Sequence, residues 1–135
     1  MTKMCPVVHF EMPYEQSERM SAFYRNAFGW QMQALGEAMG NYVLATTSEM
    51  EGCAPKESGR INGGFYQRRA DWPHQFPGVV IAVDDVQAAM KQVRAAGGEV
   101  LGAPMMIPGV GQYVSFLDTE GNRVSMLQPL PRAEK

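Results

Sequence analysis

The sequence predicts an α+β fold built from two βαβββ modules, which form a curved, barrel-like mixed sheet with the helices on its outer face. Two helix-to-glycine segments carry this prediction. When one is laid on the other, Tyr24 coincides with Val93 and Gly29 with Gly98. Each segment follows a short apolar stretch and precedes further strand-like sequence, and self-similarity of this kind indicates a duplicated architecture. A helix on one face of each sheet leaves the opposite face available to enclose a cavity.

Chain length predicts a single domain made of two halves. The 135 residues suffice for one hydrophobic core but not for two independent ones. We expect module one at about residues 6–67, a connection at 68–77, module two at 78–129 and a loose tail at 130–135.

Composition excludes several classes of partner. The chain is 45% hydrophobic and 19% charged, and because no apolar run approaches the roughly 18 residues of a membrane span, no membrane association is expected. The first residues lack the apolar segment of a signal peptide, which favours a cytoplasmic location. A net charge of −2 provides no basic surface for nucleic acid.

Cys5 and Cys53 are too few for a disulfide framework and are expected to be free thiols.

The first strand of module one is expected at residues 7–12 and is half-buried. Alternation directs Phe10 to one side of this strand, and His9 and Glu11 to the other. Pro13 is expected to end the strand.

A helix is expected to follow at about residues 15–28, since apolar side chains recur there at helical spacing, and Gly29 is well placed to end it. The rest of module one is predicted as strands at 30–35, 41–46 and 61–67, with a long flexible loop at 47–59.

Module two repeats this order of elements. Its helix is expected to begin at Asp84 or Asp85 and to end near Ala96. The strands are predicted at residues 79–83, 99–101, 112–117 and 122–128, with a loop at 104–111 and a turn at 118–122. Residues 107–111, rich in proline and glycine, form either a mobile flap or a simple connector.

Three segments that follow one another along the chain resemble the vicinal oxygen chelate superfamily, which includes glyoxalase I, extradiol dioxygenases and bleomycin-resistance proteins. They contain Ala-Phe-Tyr and Phe-Gly-Trp within residues 9–30, Val-Asp-Asp-Val-Gln-Ala-Ala within 83–98, and Phe-Leu-Asp-Thr-Glu-Gly-Asn within 116–129. His-Phe-Glu-Met-Pro, Asn-Gly-Gly-Phe and Ile-Pro-Gly-Val-Gly are similar to the glyoxalase-related predicted-enzyme branch. The resemblance implies a homodimer and, in metal-dependent members, a divalent metal held by the first and last strands of each module as a Lewis acid.

The residues at these metal-ligand positions depart from the family pattern. His9 occupies the first-strand position of module one, but its counterpart in module two is Gly78. Ser125 stands where the family has a carboxylate, and the last strand of module one offers only Asn62 or Tyr66, which are weak ligands. We therefore expect no metal cofactor, with His9 as a ligand if a metal does bind.

Strand alternation predicts a polar lining for the cavity. Its members are His9, Glu11, Asn62, Tyr66, Tyr113, Ser115, Arg123 and Ser125. Glu11 and His9 are the candidate catalytic acid/base pair, since a carboxylate in a dry pocket has a raised pKa and a neighbouring imidazole can share its proton. The other six are candidate ligand-binding residues, and Gly63, Gly64 and Gly78 are expected to widen the pocket.

These features predict a glyoxalase-like protein that binds a small organic molecule without the usual metal, with catalysis left open. Glu11 could instead be held by Arg123, with His9 a satisfied polar residue. Two alternative functions are a metal-dependent lyase or dioxygenase using His9, and a sequestering protein of the resistance type; the fold does not choose among them.

Overall fold

This computed structural model describes residues 3–131. Both halves of the chain follow the predicted order of one strand, one helix and three strands in the large sheet, and the first half also contains a short separate hairpin. By contacts the chain divides into two units. One comprises His9–Pro77, and the other comprises the residues up to Val8 together with those from Gly78 onward. The elements from β1 to β6 are called module one, and those from β7 to β10 module two.

Module one contains a four-stranded mixed sheet in the order β2-β3-β6-β1, in which β1 and β6 are parallel and the other pairs are antiparallel. Its elements are β1 (Val7–Tyr14), α1 (Ser17–Phe28), β2 (Gln31–Ala34), a 3₁₀ helix (Glu37–Met39), β3 (Val43–Thr46), β4 (Met50–Glu51), β5 (Ala54–Pro55) and β6 (Asn62–Gln67).

Module two contains a sheet in the equivalent order β8-β9-β10-β7, in which β7 and β10 are parallel and the other pairs are antiparallel. Its elements are β7 (Gly78–Ala82), α2 (Val86–Ala95), β8 (Glu99–Ile107), β9 (Gly111–Leu117) and β10 (Arg123–Pro129). The identical strand order in the two modules confirms the α+β fold of repeated βαβββ units.

Each helix covers one face of the sheet in its own module. In module one, Met20 and Tyr24 of α1 pack against a cluster that contains Tyr14, Val43 and Phe65. Phe65 is only 2% exposed, which makes it a central member of this cluster. The matching cluster of module two joins α2 to β9 and β10 and contains Val83, Val86, Ala89, Met90, Val114, Phe116 and Met126. Apolar side chains at helical spacing thus mark the buried face of α2, whereas in α1 Met20 and Tyr24 are packed and Phe23 and Phe28 are exposed.

The helix ends agree with the sequence. Gly29 follows α1 in the left-handed conformation with φ of 73°, and its N–H bonds to the Arg25 carbonyl. At the start of α2 it is Asp85, rather than Asp84, that caps the helix, since its side chain accepts hydrogen bonds from the backbone N–H groups of Gln87 and Ala88. Neither helix in residues 3–131 has the length and apolarity needed to cross a bilayer.

The prediction that Pro13 ends β1 is wrong. The strand continues to Tyr14, with Pro13 paired to Tyr66 and Tyr14 to Gln67 of β6. A proline is accepted in a strand at a position where its nitrogen has no ladder hydrogen bond to donate.

The predicted flexible loop at 47–59 is also wrong in part. It contains the β4–β5 hairpin, which turns at Gly52 with φ of 66°. Lys56 N donates to the Glu49 carbonyl, and ion pairs join Lys56 to Glu49 and Arg60 to Glu57. The small and charged composition marked an exposed segment but not its internal pairing.

The predicted loop at 104–111 is wrong for residues 104–107, which belong to β8. The register of β8 against β9 shifts between Leu101 and Met105. Alternation of apolar and polar residues is interrupted by such a shift and therefore does not predict the whole strand. Residues 107–111 form the tight turn of the β8–β9 hairpin, closed by a hydrogen bond from Val110 N to the Ile107 carbonyl. They connect the two strands of this hairpin.

The turn at 118–122 and the two cysteines are as predicted. Asp118 accepts hydrogen bonds from the backbone N–H groups of Glu120 and Asn122 and from the Asn122 side chain. Cys5 and Cys53 are exposed free thiols. Of the predicted tail, residues 132–135 lie outside the described residues.

Candidate functional site

A polar face lies opposite the helix-covered face of module one. In the parallel pairing of β1 with β6, His9 is beside Asn62 and Glu11 is beside Gly64. The intervening Phe10 belongs to the hydrophobic cluster under α1. Because successive strand residues point to opposite faces, His9 and Glu11 share the face away from the helix.

Tyr42 joins the two candidate catalytic residues. Its hydroxyl lies 3.0 Å from His9 Nε2 and donates a hydrogen bond of 3.2 Å to Glu11 Oε2. Sequence reasoning missed this tyrosine, because its position is set by the register of β3 against β6. Tyr42 precedes Leu44 by two residues, and Leu44 pairs with Gly64, the β6 neighbour of Glu11.

The absence of a side chain at Gly64 admits the tyrosine ring. A Cβ added to Gly64 would collide with the hydroxyl and ring atoms of Tyr42, and one added to Gly63 would collide with the Phe10 ring on the other face. The expectation that these two glycines widen an open pocket is therefore wrong. Their missing side chains provide space that neighbouring aromatic rings fill.

Burial sets the charge state of the histidine. Partial burial lowers the pKa of His9 below the ordinary value of 6.5, since removal from water disfavours the imidazolium. Burial therefore favours the neutral imidazole. A neutral imidazole offers one N–H and one lone pair, so it can both donate and accept a proton.

The two other candidates of module one, Asn62 and Tyr66, contact Thr47 and Phe76. Asn62 Oδ1 accepts a 2.9 Å hydrogen bond from Thr47 N and so anchors the segment that follows β3. The Tyr66 hydroxyl donates to the Phe76 carbonyl at 3.5 Å in the connection between the modules. Their role in ligand binding stays a prediction.

Module two carries its own polar cluster on the sheet face away from α2. Ser125 Oγ lies 2.6 Å from the Tyr113 hydroxyl and 2.9 Å from Ser115 Oγ. Ser115 and Ser125 are buried, and one hydrogen bond joins their hydroxyl groups. Arg123 lies at the start of β10, paired with Leu117. Three of the four candidate residues of this module are thus brought together in one hydroxyl cluster.

Strand register identifies the last-strand ligand position of module one. Glu11 pairs with Gly64, and Val80, the counterpart of Glu11 in the duplication, pairs with Ser125. Gly64 is therefore the counterpart of Ser125. Asn62 and Tyr66, the two weak ligand candidates of this strand, pair with His9 and Pro13 instead.

These residues do not fit a divalent metal centre with three or four protein ligands. His9 Nε2 is engaged by Tyr42, while Gly64 and Gly78 carry no donor. The Ser125 hydroxyl is neutral and already hydrogen-bonded, whereas divalent metals favour imidazole, carboxylate or thiolate ligands. Within residues 3–131 no cluster of three or more His, Cys, Asp or Glu side chains is found.

A cavity of about 380 Å³ opens on the helix side of module one, away from His9 and Glu11. Met12, Met20, Tyr24 and Phe65 belong to its apolar wall, and further lining comes from Pro13, Tyr14, Glu15, Gln16, Arg19, Arg68 and Pro77. Met12 and Phe65 are register partners on the face opposite the polar one. This cavity is therefore a feature distinct from the polar face.

Comparison with known proteins agrees with the fold. The model of the Glyoxalase/Bleomycin resistance protein/Dioxygenase superfamily matches residues 7–126. CFP32 of Mycobacterium tuberculosis, whose name includes the word glyoxylase, is 28% identical over 125 residues, which are 90% of this chain and 43% of that protein. The chain thus spans less than half the length of this relative. A glyoxylase-like domain-containing protein of Didymella fabae is 30% identical over 115 residues, covering 83% of this chain and 84% of that one.

Solved structures share the fold at low sequence identity. A variant of Streptomyces coelicolor methylmalonyl-CoA epimerase, in complex with 2-nitronate-propionyl-CoA, superposes with a TM-score of 0.70 at 13% identity. The superposition covers 98% of this chain and 100% of the epimerase chain. At this identity the likeness concerns the fold alone.

Proposed function

Because the chain belongs to the Glyoxalase/Bleomycin resistance protein/Dioxygenase superfamily, we propose that it binds a small organic molecule at the polar face of module one and acts on it by acid/base chemistry. Glu11 and His9 are the proposed catalytic pair, and no divalent metal takes part. Asn62 and Tyr66 stay predicted ligand-binding residues of module one, and Tyr113, Ser115, Arg123 and Ser125 stay predicted ligand-binding residues of module two.

One observation carries this proposal: the hydroxyl of Tyr42 lies within hydrogen-bond distance of both His9 Nε2 and Glu11 Oε2. A carboxylate and a neutral imidazole linked in this way can each take up or release a proton. Positioned acid/base groups accelerate proton transfer by about 10²–10⁴-fold.

The reaction class that suits this pair is proton exchange at a carbon next to a carbonyl group. One member removes the proton, and the other returns a proton to the resulting enolate. Inversion at a stereocentre, the reaction named in methylmalonyl-CoA epimerase, belongs to this class. The similarity of the folds does not by itself assign a reaction or a substrate, so the proposed class rests on the contacts of Tyr42 with His9 and Glu11.

Deuterium exchange tests the proposal without knowledge of the natural substrate. Pyruvate, hydroxyacetone and methylmalonyl-CoA would each be incubated in D₂O with the protein, and loss of the carbon-bound proton followed by ¹H NMR. We expect exchange above the buffer rate with at least one probe and a fall of about 100-fold in Glu11→Gln and in His9→Gln.

Glu15→Gln is the matched control, because it changes a carboxylate that pairs with Arg68 at 3.6 Å on the surface. It should leave the exchange rate unchanged. Exchange that survives Glu11→Gln would contradict the assignment of the pair. Probes that bind and emerge without exchange would contradict the catalytic proposal and favour a sequestering protein.

The metal-free part of the proposal has a separate test. Protein purified without a metal-affinity tag should contain far less than one equivalent of divalent metal, and a chelator should not alter its exchange activity. Stoichiometric metal that disappears in His9→Ala would contradict the proposal and favour a metal-dependent lyase or dioxygenase.

We also propose that the chain forms a homodimer. Phe23 and Phe28 of α1 lie with ring centroids 6.2 Å apart and are 57% and 62% exposed. Adjacent exposed aromatic side chains are typical of an interaction surface. Sedimentation equilibrium should report twice the monomer mass, and a monomer would contradict this proposal. The cytoplasmic location likewise stays a prediction.

A further inference from the structure

The hydroxyl of Tyr42 has too few protons to donate to both of its neighbours. A tyrosine hydroxyl carries one proton and can accept further hydrogen bonds through its oxygen. An ionised carboxylate only accepts, so beside ionised Glu11 the hydroxyl proton points to Oε2. The 3.0 Å contact with His9 is then a hydrogen bond donated by Nε2–H to the tyrosine oxygen. Neutral His9 must therefore carry its proton on Nε2, which leaves the lone pair on Nδ1.

Protonation of Glu11 at Oε2 reverses this arrangement. The carboxylic acid then donates to the Tyr42 oxygen, and the tyrosine hydroxyl donates to His9 Nε2. Neutral His9 now carries its proton on Nδ1. The orientation of one hydroxyl thus couples the protonation of Glu11 to the tautomer of His9.

We propose that Tyr42 is a proton relay between His9 and Glu11, a role that rests on the acid/base function proposed above. A proton taken from the ligand by Nδ1 of His9 gives an imidazolium. Its Nε2 proton then passes to the Tyr42 oxygen while the Tyr42 proton passes to Glu11 Oε2. The result is neutral His9 protonated on Nδ1, neutral Tyr42 and protonated Glu11. One proton has moved between the two groups, and Tyr42 is unchanged.

The surroundings of Tyr42 hold the relay in place. Its ring occupies the space that a Cβ at Gly64 would take, directly beside Glu11 in the register of the sheet. The carbonyl of Tyr42 accepts a 2.9 Å hydrogen bond from Leu35 N, which ties its backbone to the end of β2. Ring and backbone are both restrained, so the hydroxyl is positioned between its two partners before a ligand binds.

The tautomer of His9 can be read directly by ¹⁵N NMR at a pH where the imidazole is neutral. The chain has two histidines, and exposed His74 serves as an internal reference. In the wild-type protein we expect Nε2 of His9 to be the protonated nitrogen. A protonated Nδ1 would overturn the proposal without the use of any variant.

A double-mutant cycle isolates the contribution of Tyr42. Glu11→Gln removes the carboxylate that orients the hydroxyl, so it should lower the ratio of Nε2–H to Nδ1–H tautomer by about three- to tenfold, the effect of one hydrogen bond. In the Tyr42→Phe background the same change should leave the ratio unaltered. Tyr24→Phe, which removes a hydroxyl on the α1 side of the sheet, is the matched control and should preserve the effect.

An equal effect of Glu11→Gln in both backgrounds, or none in either, would overturn the relay. The NMR measurement requires no ligand, so it separates the relay from the proposed function. Deuterium exchange without tautomer coupling would refute the relay alone. Tautomer coupling without exchange by any probe would refute the proposed function alone.

Discussion

Substitution of Gly64 by alanine should destabilise the protein specifically through Tyr42. The Cβ of the substituted residue would overlap the hydroxyl and ring of Tyr42. The ring must then move away, because the added atom is attached to the backbone of β6 and cannot. Movement of the ring breaks the contacts of the hydroxyl with His9 and Glu11.

The expected magnitude follows from those two contacts. The 3.0 Å bond to neutral His9 contributes about 1 kcal/mol, and the 3.2 Å bond to the Glu11 carboxylate about 1.5–3 kcal/mol. Alanine in place of glycine within a strand by itself gains about 0.5–1 kcal/mol. The balance is a loss of about 1.5–3.5 kcal/mol in the free energy of unfolding.

Equilibrium urea unfolding of four proteins measures this coupling: the wild type, Gly64→Ala, Tyr42→Ala and the double variant. In the Tyr42→Ala background the overlap is absent, so Gly64→Ala should be neutral or slightly stabilising. Gly63→Ala is the matched control, because its Cβ would meet Phe10 on the opposite face and its cost should not depend on Tyr42. Equal costs of Gly64→Ala in the two backgrounds would refute the assigned packing.

Three further predictions concern stability. Asp85→Ala removes the N-cap of α2 and should lower the free energy of unfolding in urea by about 1 kcal/mol. Asp84→Ala, which removes an exposed ion pair, is the control and should lower it by less than about 0.5 kcal/mol. Equal losses in the two variants would contradict the assignment of Asp85 as the cap. Burial lowers the pKa of His9, so the unfolded chain binds a proton more readily than the folded one, and the free energy of unfolding should decline as pH falls below 6.5. His9→Gln should make this decline less steep. An unchanged slope would exclude His9 as its cause. Phe65→Ala should cost about 3–5 kcal/mol by thermal or urea unfolding, and a loss below 1 kcal/mol would show that its cluster is not a core.

The alternation of β1 was readable from the sequence because it depends only on neighbouring residues. Phe10 and Met12 pack on the helix side, while His9 and Glu11 lie on the other. The same local logic placed Gly29 at the end of α1. Hydrophobic periodicity and helix-end chemistry act within a few residues, so one chain suffices to see them.

Other features depended on strand register, which local periodicity does not specify. The extension of β1 through Pro13 follows from its pairing with β6. The continuation of β8 past Pro104 follows from a shift against β9. A proline and a bulge each interrupt the local pattern of a strand, yet hydrogen bonds to the neighbouring strand maintain it.

The candidate site shows this division most clearly. The duplicated fold and the family resemblance could be predicted from the sequence, as could the position of His9 and Glu11 on the same face of β1. Only the tertiary structure brought Tyr42 between them, because that contact joins a residue near β3 to β1 across Gly64 of β6. Contacts between residues about 30 positions apart depend on how strands pair, and a single sequence contains no local signal for that pairing.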